Sequence, residues 1–534
     1  MRLTWVQPED LLPHQLVQSS AEGADVTDIT TRWVSAGGSA EAPVSGASAV
    51  PATPELRALA RELLDELDKR TPTWSSPAIP ELPLLAAGSS GQGGETLRHG
   101  HPDASAPAAP AGGASAPDAR GGFVDATGFA SSGGPTPEAS GLDAGGLAAS
   151  GEASAPEARS GGTGEAGPSD HSAFSASSAR SAGGAFRAVE QRILDGWLGR
   201  AAGNLLGKPV EKIPREGIRE ILVSSGQWPL TRYVTAVGVP EDVQARWPWN
   251  RRSKPTSLRE VIDGMPEDDD LNFAILALQL VERHGDELTT EDVAQAWLSD
   301  LPAGRVFTAE RVAYRNLLDG VAPERAALVR NPFRWWIGAQ IRTDVYGWVH
   351  PGDRTAAARL ALTDARLTHT GAGVDGAIWV AAMSAAALVL DDPRQAALAG
   401  LEAVAPDSEI ARAVHLGLSL ADKPLDDALD VLHAEYGHLH WVHAVNNSAL
   451  TAYALTAPDF ATGVGRAVMG GWDTDSVGAT VGAVLGAVRG VPAEWTEPLD
   501  NRLATSLPGM NQVAFDELAA RTVAVADGKG DRRG

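Results

Sequence analysis

The 534-residue sequence contains no cysteine, so neither disulfide bonds nor thiolate chemistry can contribute to its fold or function. Basic side chains are also scarce: 44 Lys and Arg stand against 68 Asp and Glu, which gives a formal net charge of −24. This charge argues against nucleic acids and anionic membranes as the main partners. The longest uncharged apolar stretch, residues 376–390, is shorter than the roughly 20 residues that a membrane helix needs. The first residues lack the apolar core of a signal peptide, so we expect a cytoplasmic protein.

Glycine and proline are abundant, with 58 and 35 copies, but they are unevenly distributed. Residues 86–185 consist largely of Gly, Ala, Ser and Pro, and such a stretch cannot bury enough apolar surface to offset its ordering entropy. We interpret it as a disordered linker. It separates a helical N-terminal appendage, residues 1–85, from a large helical domain at residues 186–525, and we expect residues 526–534 to form a flexible tail.

The clearest element of the N-terminal appendage is a helix predicted from Thr53 to Lys69. Thr53 suits the N-cap and Pro54 suits the first helical position. One face of this helix carries a leucine stripe formed by Leu56, Leu59, Leu63, Leu64 and Leu67. A single amphipathic helix cannot bury such a stripe alone, so we expect it to dock on the large domain or on a partner chain.

An acidic block near the C-terminus, Gly470 to Ala479, contains Asp473, Asp475 and Ser476 at the predicted start of an apolar helix. A helix N-cap needs only one such residue, whereas three oxygen-bearing side chains suit a hard divalent cation. The helix that follows has glycine at every fourth position, from 478 to 490. Because interior glycines destabilise a helix, this spacing indicates that another backbone passes close to that face.

A second acidic block, Asp268-Asp269-Asp270, precedes another helix that the apolar spacing predicts to be largely buried. Three adjacent carboxylates at the end of a buried helix repel one another unless cations neutralise them. An exposed capping cluster is the structural alternative.

A third block runs from Gly199 to Glu211 and repeats the four-residue glycine spacing, so we expect its helix to lie beside the one after Asp475. In their order along the chain, the three blocks resemble the motifs of the ADP-ribosylglycohydrolase family, of the dinitrogenase reductase-activating glycohydrolase type. The resemblance covers roughly residues 187–525. It implies an all-α fold, here a compact multi-helix domain, and two Mg²⁺ ions, or Mn²⁺, in the active site.

By the same resemblance, metal ligands are expected at six positions: Asp268, Asp269, Asp270, Asp473, Asp475 and Ser476. Glu211 and Asp269 are the expected catalytic residues, with Glu211 in a substrate-contacting or acid/base role. Three further residues are expected to bind substrate, namely Arg342, Tyr346 and His369. For Arg342 and Tyr346 the reason is that a guanidinium and an aromatic ring suit a pyrophosphate and an adenine.

The blocks also depart from the family pattern, which usually reads Thr-Asp-Asp-Thr in the first acidic block. Here Asp268 and Leu271 replace the two threonines, Ser476 stands for a threonine, and Trp472 is an additional residue beside the ligands. All the expected ligand side chains remain oxygen donors. The resemblance therefore supports metal binding more strongly than it identifies the substrate.

The expected activity is hydrolysis of the glycosidic bond between ADP-ribose and an acceptor on a protein or a small molecule. Two alternatives stay open: a di-metal hydrolase of another ribosyl compound, and a non-catalytic protein that binds ADP-ribose. Retention of the Asp residues and of Glu211 argues against the binder, because a binder does not need such concentrated negative charge. The sequence does not identify the acceptor.

Overall fold

The computed structural model describes residues 3–48, 50–86 and 187–530, and this part of the chain is helical, with no β-strand. The predicted all-α fold class is confirmed. Three helices form in the N-terminal segment: α1 (Pro8–Ala21), α2 (Thr27–Ser35) and α3 (Pro54–Arg70). The described residues on both sides of the gap between 86 and 187 belong to one compact unit. Apart from Ala86, the predicted linker lies outside the described residues.

Nineteen helices form in the larger region that begins at residue 187. Those that precede residue 350 are α4 (Val189–Gly207), α5 (Arg215–Ser224), α6 (Glu241–Arg246), α7 (Lys254–Ser257), α8 (Asp269–His284), α9 (Thr290–Asp300), α10 (Thr308–Leu318), α11 (Pro323–Ala326) and α12 (Asp344–Trp348). Those that follow are α13 (Arg354–Ala365), α14 (Gly371–Ala387), α15 (Pro393–Leu401), α16 (Glu409–Ser419), α17 (Leu425–Tyr436), α18 (Ala444–Ala454), α19 (Phe460–Met469), α20 (Thr474–Arg489), α21 (Ala493–Thr496) and α22 (Phe515–Gly530). Helix α22 extends to Gly530, so the first part of the predicted flexible tail is helical.

Helix α3 forms where the leucine stripe predicts it. The Thr53 side chain caps the helix by accepting a hydrogen bond of 3.2 Å from the Leu56 N–H. Leu63, Leu64 and Leu67 are fully buried in the common core. The helix therefore buries its apolar face within the same chain.

The N-terminal segment docks on residues 330–336 of the larger region through apolar and charged contacts. The Trp5 ring packs edge-on against Phe333 and Trp336, with ring centroids 5.4 and 5.7 Å apart. The Arg334 guanidinium forms a buried ion pair with Glu22. The expected docking on the larger region is confirmed, whereas the domain boundaries remain predictions.

Helices α4 and α20 pack so closely that their backbones touch. A Cβ atom placed on Gly203 would lie 1.9 Å from the Gly478 carbonyl oxygen, and one on Gly482 would lie 2.0 Å from the Gly199 carbonyl oxygen. Only glycine leaves room for this approach. The expectation that the two glycine-spaced helices are neighbours is confirmed.

No helix in the described ranges combines the length and the apolar character needed to cross a membrane. The cytoplasmic location stays a prediction.

The close packing of α4 on α20 predicts that Gly203→Ala lowers stability. The added methyl group overlaps the Gly478 carbonyl, so the helices must separate, at a cost of roughly 1–3 kcal/mol. Gly304→Ala is the matched control, because no heavy atom lies within 4 Å of a Cβ at that position. Thermal unfolding of the two variants measures the difference. Equal melting temperatures would show that the contact between the two helices does not constrain the fold.

Candidate functional site

The end of α4 meets the start of α20 at the centre of the site. The Thr474 hydroxyl donates a hydrogen bond of 2.9 Å to the Gly207 carbonyl, next to the last glycine contact between the two helices. The turn that follows α4, Lys208 to Glu211, is therefore placed beside Asp473 and Asp475. Two of the sequence blocks come together through this contact.

The third block enters at the N-terminus of α8. Asp268 caps this helix, because its carboxylate accepts a hydrogen bond of 3.1 Å from the Asp270 N–H. The Asn204 side-chain amide, on α4, donates to Asp268 at 2.9 Å and to Asp270 at 2.6 Å. One amide thus holds two carboxylates of α8 against α4.

Three carboxylates from these elements converge. Asp268, Asp270 and Asp475 each place one carboxylate oxygen within 4.8 Å of the others. The Oδ1 atom of Asp270 is buried and has no hydrogen-bond partner among the described residues. The Arg200 guanidinium lies 4.0 Å from this oxygen, but a buried carboxylate oxygen without a hydrogen bond is costly, so the group has capacity for a further positive ligand. An all-oxygen donor set of this kind fits Mg²⁺, Mn²⁺ or Ca²⁺.

Crowding and burial make these carboxyl groups hold protons more strongly. Burial raises the pKa of Asp475 to about 7, and the charges of Glu211 and Asp268 add to this effect. Burial also raises the pKa values of Asp269, Asp270 and Asp473, with further contributions from neighbouring carboxylates. A bound cation would remove this repulsion.

Lys208 supplies a positive charge inside the cluster. Its ammonium group is buried and forms an ion pair with Asp268. Burial by itself would lower the pKa of Lys208, but Asp268, together with Asp475 and Asp269, raises it. Part of the negative charge is therefore balanced by the protein itself.

Glu211 lies at the edge of the cluster with its carboxylate held from two sides. Asn250 donates a hydrogen bond of 2.6 Å to one oxygen, and the Lys212 ammonium lies 3.1 Å from the other. About a fifth of the Glu211 side chain remains exposed, at 19%. The carboxylate is oriented and partly exposed, and it lies close enough to Asp475 to raise the pKa of that residue.

The remaining predicted ligands surround the three converging carboxylates without belonging to that tight group. Asp473 is fixed by its backbone N–H, which donates 3.2 Å to the Asn447 side chain, and its carboxyl group interacts with that of Asp475. Asp269 is partly exposed, whereas Ser476 is buried on the first turn of α20. The structure thus gathers all six positions in one region, and among their carboxylates those of Asp268, Asp270 and Asp475 form the group whose oxygens lie within 4.8 Å of one another.

Trp472, which the sequence comparison flagged as additional, shapes the turn into α20. Its φ angle is +60°, a left-handed conformation that is unusual for a bulky residue. The indole stacks on His433 with ring centroids 4.3 Å apart, and the His433 ring also hydrogen-bonds the Gly470 carbonyl at 2.8 Å. These contacts stabilise the turn that presents Asp473.

The positions of Arg342 and Tyr346 do not support their predicted role in substrate binding. Their side chains are 1% and 0% exposed. Arg342 forms ion pairs with Glu310 and Asp364, and the Tyr346 hydroxyl donates 2.6 Å to Asp364. Because these partners satisfy them inside the core, we correct the prediction and assign both residues to structure.

His369 is likewise enclosed. Its Nδ1 lies 2.6 Å from the Thr368 hydroxyl, and its Nε2 has no hydrogen-bond partner among the described residues. Burial lowers the pKa of this imidazole well below its usual value, and the Arg342 charge lowers it further. A neutral, fully buried ring is not exposed to a substrate, so this prediction is corrected as well.

Sequence reasoning missed the polar residues that organise the cluster, namely Asn204, Lys208, Asn250 and Asn447. Asn204 and Lys208 lie in the first glycine-spaced block, but their carboxylate partners are about 60 positions away. Asn250 comes from the Trp- and Pro-rich loop after α6. No local pattern connects these residues, so only the fold reveals them.

Three comparisons relate the chain to known proteins. A family model described as ADP-ribosylglycohydrolase matches residues 187–531. A protein of Archaeoglobus fulgidus, described as uncharacterized, is 26% identical over 330 residues, which cover 60% of this chain and 96% of that protein. A solved structure titled ADP-ribosylglycohydrolase-related protein complex aligns over 64% of this chain and 98% of its own, with 22% identity and a TM-score of 0.40.

The family model spans more than half of the chain and includes every block that contributes to the carboxylate cluster. The family comprises hydrolases that act on ADP-ribosylated substrates and that in general depend on metal ions. The chain belongs to the ADP-ribosylglycohydrolase family.

Proposed function

We propose that this protein is a metal-dependent hydrolase of the glycosidic bond that joins ADP-ribose to an acceptor on a protein or a small molecule. The observation that carries the proposal is the convergence of Asp268, Asp270 and Asp475 beside the oriented Glu211 carboxylate. Family membership supplies the class of substrate.

In this proposal the carboxylates of Asp268, Asp270 and Asp475 hold a divalent cation, Mg²⁺ or Mn²⁺. Asp269, Asp473 and Ser476 are the candidates for completing a second cation site. A cation bound there supplies Lewis acidity and fixes the orientation of substrate oxygens. Burial, together with the charges of Glu211 and Asp268, raises the pKa of Asp475 to about 7, and relief of this crowding favours such binding.

Glu211 is proposed as the general acid or base. Part of its side chain, 19%, is exposed, and its contacts with Asn250 and Lys212 fix the direction of its oxygens. A carboxylate held in this way can accept a proton from an attacking water or deliver one to the leaving group. Asp269, partly exposed at the end of α8, is the second proposed catalytic carboxylate.

We expect Mg²⁺ or Mn²⁺ to raise the melting temperature of the metal-stripped protein, because a ligand that binds only the folded state stabilises it. Asp475→Asn should abolish this rise, since it removes one of the three converging carboxylates. Asp319→Asn, an exposed position, should retain it. Differential scanning fluorimetry with increasing metal concentration gives the comparison. A wild-type melting curve that metal leaves unchanged would refute the metal site.

Lys208→Met should make the protein depend more strongly on metal. Without the ammonium, the Asp268 charge stays buried and unpaired, so the metal-free protein should melt at a lower temperature. Added Mg²⁺ should then produce a larger stabilisation than in the wild type. Lys423→Met is the control, since that lysine is exposed between α16 and α17. A metal response equal to that of the wild type would mean that Lys208 does not balance the cluster.

Glu211→Gln tests the catalytic role separately from metal binding. The amide cannot exchange a proton as the carboxylate does, so release of ADP-ribose should slow by roughly a hundredfold or more. The metal-induced rise in melting temperature should remain. Glu241→Gln, on the exposed face of α6, is the surface control. Turnover of Glu211→Gln at the wild-type rate would remove Glu211 from the mechanism.

Release of ADP-ribose from ADP-ribosyl-arginine, ADP-ribosyl-serine and small-molecule conjugates identifies the acceptor. If the wild-type protein releases ADP-ribose from none of these but binds it, the non-catalytic alternative replaces the hydrolase.

A further inference from the structure

Two arginines approach one aromatic ring beside the carboxylate cluster. The guanidinium carbons of Arg311 and Arg252 lie 4.8 and 5.7 Å from the centre of the Phe307 ring. Phe307 is partly exposed, Arg252 is exposed, and Arg311 is 6% exposed. Two positive charges at one ring repel each other, although each is attracted to the ring face.

Neither guanidinium is neutralised within the protein. Among the described residues, neither Arg252 nor Arg311 forms an ion pair with a carboxylate. Arg311 instead donates to the Thr4 carbonyl at 3.1 Å, to the Thr4 hydroxyl at 2.9 Å and to the Gly304 carbonyl at 3.5 Å. Its Nε is buried without a hydrogen-bond partner in the described part of the chain. Burial and the nearby Arg252 charge lower the pKa of Arg311 to about 10.

The neighbouring Arg305, in contrast, is neutralised by a carboxylate. Its guanidinium lies 2.8 Å from the Glu267 carboxylate, immediately before the acidic block of α8. Arg252 and Arg311 lack such a partner, even though the protein carries a large excess of acidic side chains. A negatively charged ligand would satisfy both arginines.

The position of this pair connects it to the proposed catalytic carboxylates. Asn250 donates to Glu211, and its side-chain oxygen accepts a hydrogen bond of 3.0 Å from the backbone N–H of Arg252. On the other side, Asp269 lies close enough for its charge to act on Arg311. An anion held by the two arginines is therefore adjacent to the site at which hydrolysis is proposed.

We propose that Arg252 and Arg311, supported by the Phe307 ring, bind the diphosphate of the ADP-ribosyl substrate next to the carboxylate cluster. This inference rests on the proposed function for the identity of the substrate. Guanidinium groups suit phosphate oxygens because they offer several N–H donors in a fixed plane and stay charged. In this proposal Arg252 and Arg311 take the diphosphate-binding role that the sequence suggested for Arg342, whose charge is neutralised in the core by Glu310 and Asp364.

Binding of ADP, AMP and adenosine, measured by calorimetry at a constant Mg²⁺ concentration, tests this proposal. The wild-type protein should bind ADP more tightly than AMP and adenosine least. Arg252→Gln should weaken ADP binding by on the order of tenfold or more, the usual effect of losing a charged hydrogen bond. Adenosine binding should not change.

Arg251→Gln is the matched control, because it removes the same charge from the neighbouring exposed position. Equal losses of ADP affinity in Arg251→Gln and Arg252→Gln would indicate a general electrostatic attraction to the positive surface and would overturn a specific diphosphate site. Equal ADP affinity of the wild type and Arg252→Gln, or no ADP binding by the wild type, would overturn it as well. Arg252 is exposed and makes no side-chain hydrogen bond within the described chain, so we expect this variant to fold normally.

The two proposals can fail independently. ADP lacks the glycosidic bond to an acceptor, so its binding does not depend on turnover. Loss of ADP affinity in Arg252→Gln without any hydrolysis by the wild type would support the diphosphate site alone. Hydrolysis that Arg252→Gln leaves unchanged in both KM and kcat would support the catalytic proposal alone.

Discussion

The backbone contact between α4 and α20 is the constraint on which the site depends. Glycines on both helices remove the side chains that would otherwise keep the axes apart, and each carbonyl then faces the opposing glycine. The contact continues to Gly207 and Thr474, where α4 ends and α20 begins. Carboxylates attached just beyond those two ends are therefore close to one another in space, although more than 250 positions separate them in the chain.

This arrangement places strong negative charge in a poorly hydrated region. Asn204 offers two hydrogen bonds, Lys208 offers one charge, and Arg200, itself paired with Asp344, lies 4.0 Å from Asp270. Together they are too few to balance the acidic side chains on α8 and α20. Burial, and after it the charges of neighbouring carboxylates, raise the pKa values of these aspartates. Such a site lowers the stability of the folded protein in the absence of a cation. Binding of a cation and its substrate offsets this loss of stability.

The sequence predicts those parts of this site that depend on interactions between residues close together in the chain. Helix caps, apolar periodicity and four-residue glycine spacing are local signals, so α3, the start of α8 and the pairing of α4 with α20 could be inferred. The partner of a given arginine is not a local property. The sequence pattern suggests that Arg342 binds a ligand, but in the structure Glu310 and Asp364 neutralise it. Arg252 lies in an irregular loop, where no sequence pattern indicates a ligand-binding role.

The N-terminal segment gains a role from the same reasoning. The family model covers residues 187–531, yet two of the three hydrogen bonds that the Arg311 guanidinium donates within the described chain go to Thr4, and the third, of 3.5 Å, goes to Gly304. The segment is anchored independently by Trp5 against Phe333 and by Glu22 against Arg334, so Thr4 is held in place. A guanidinium with few conformations loses little entropy when it binds an anion. The segment that the sequence presents as an appendage therefore acts, in this proposal, as the outer support of the diphosphate site.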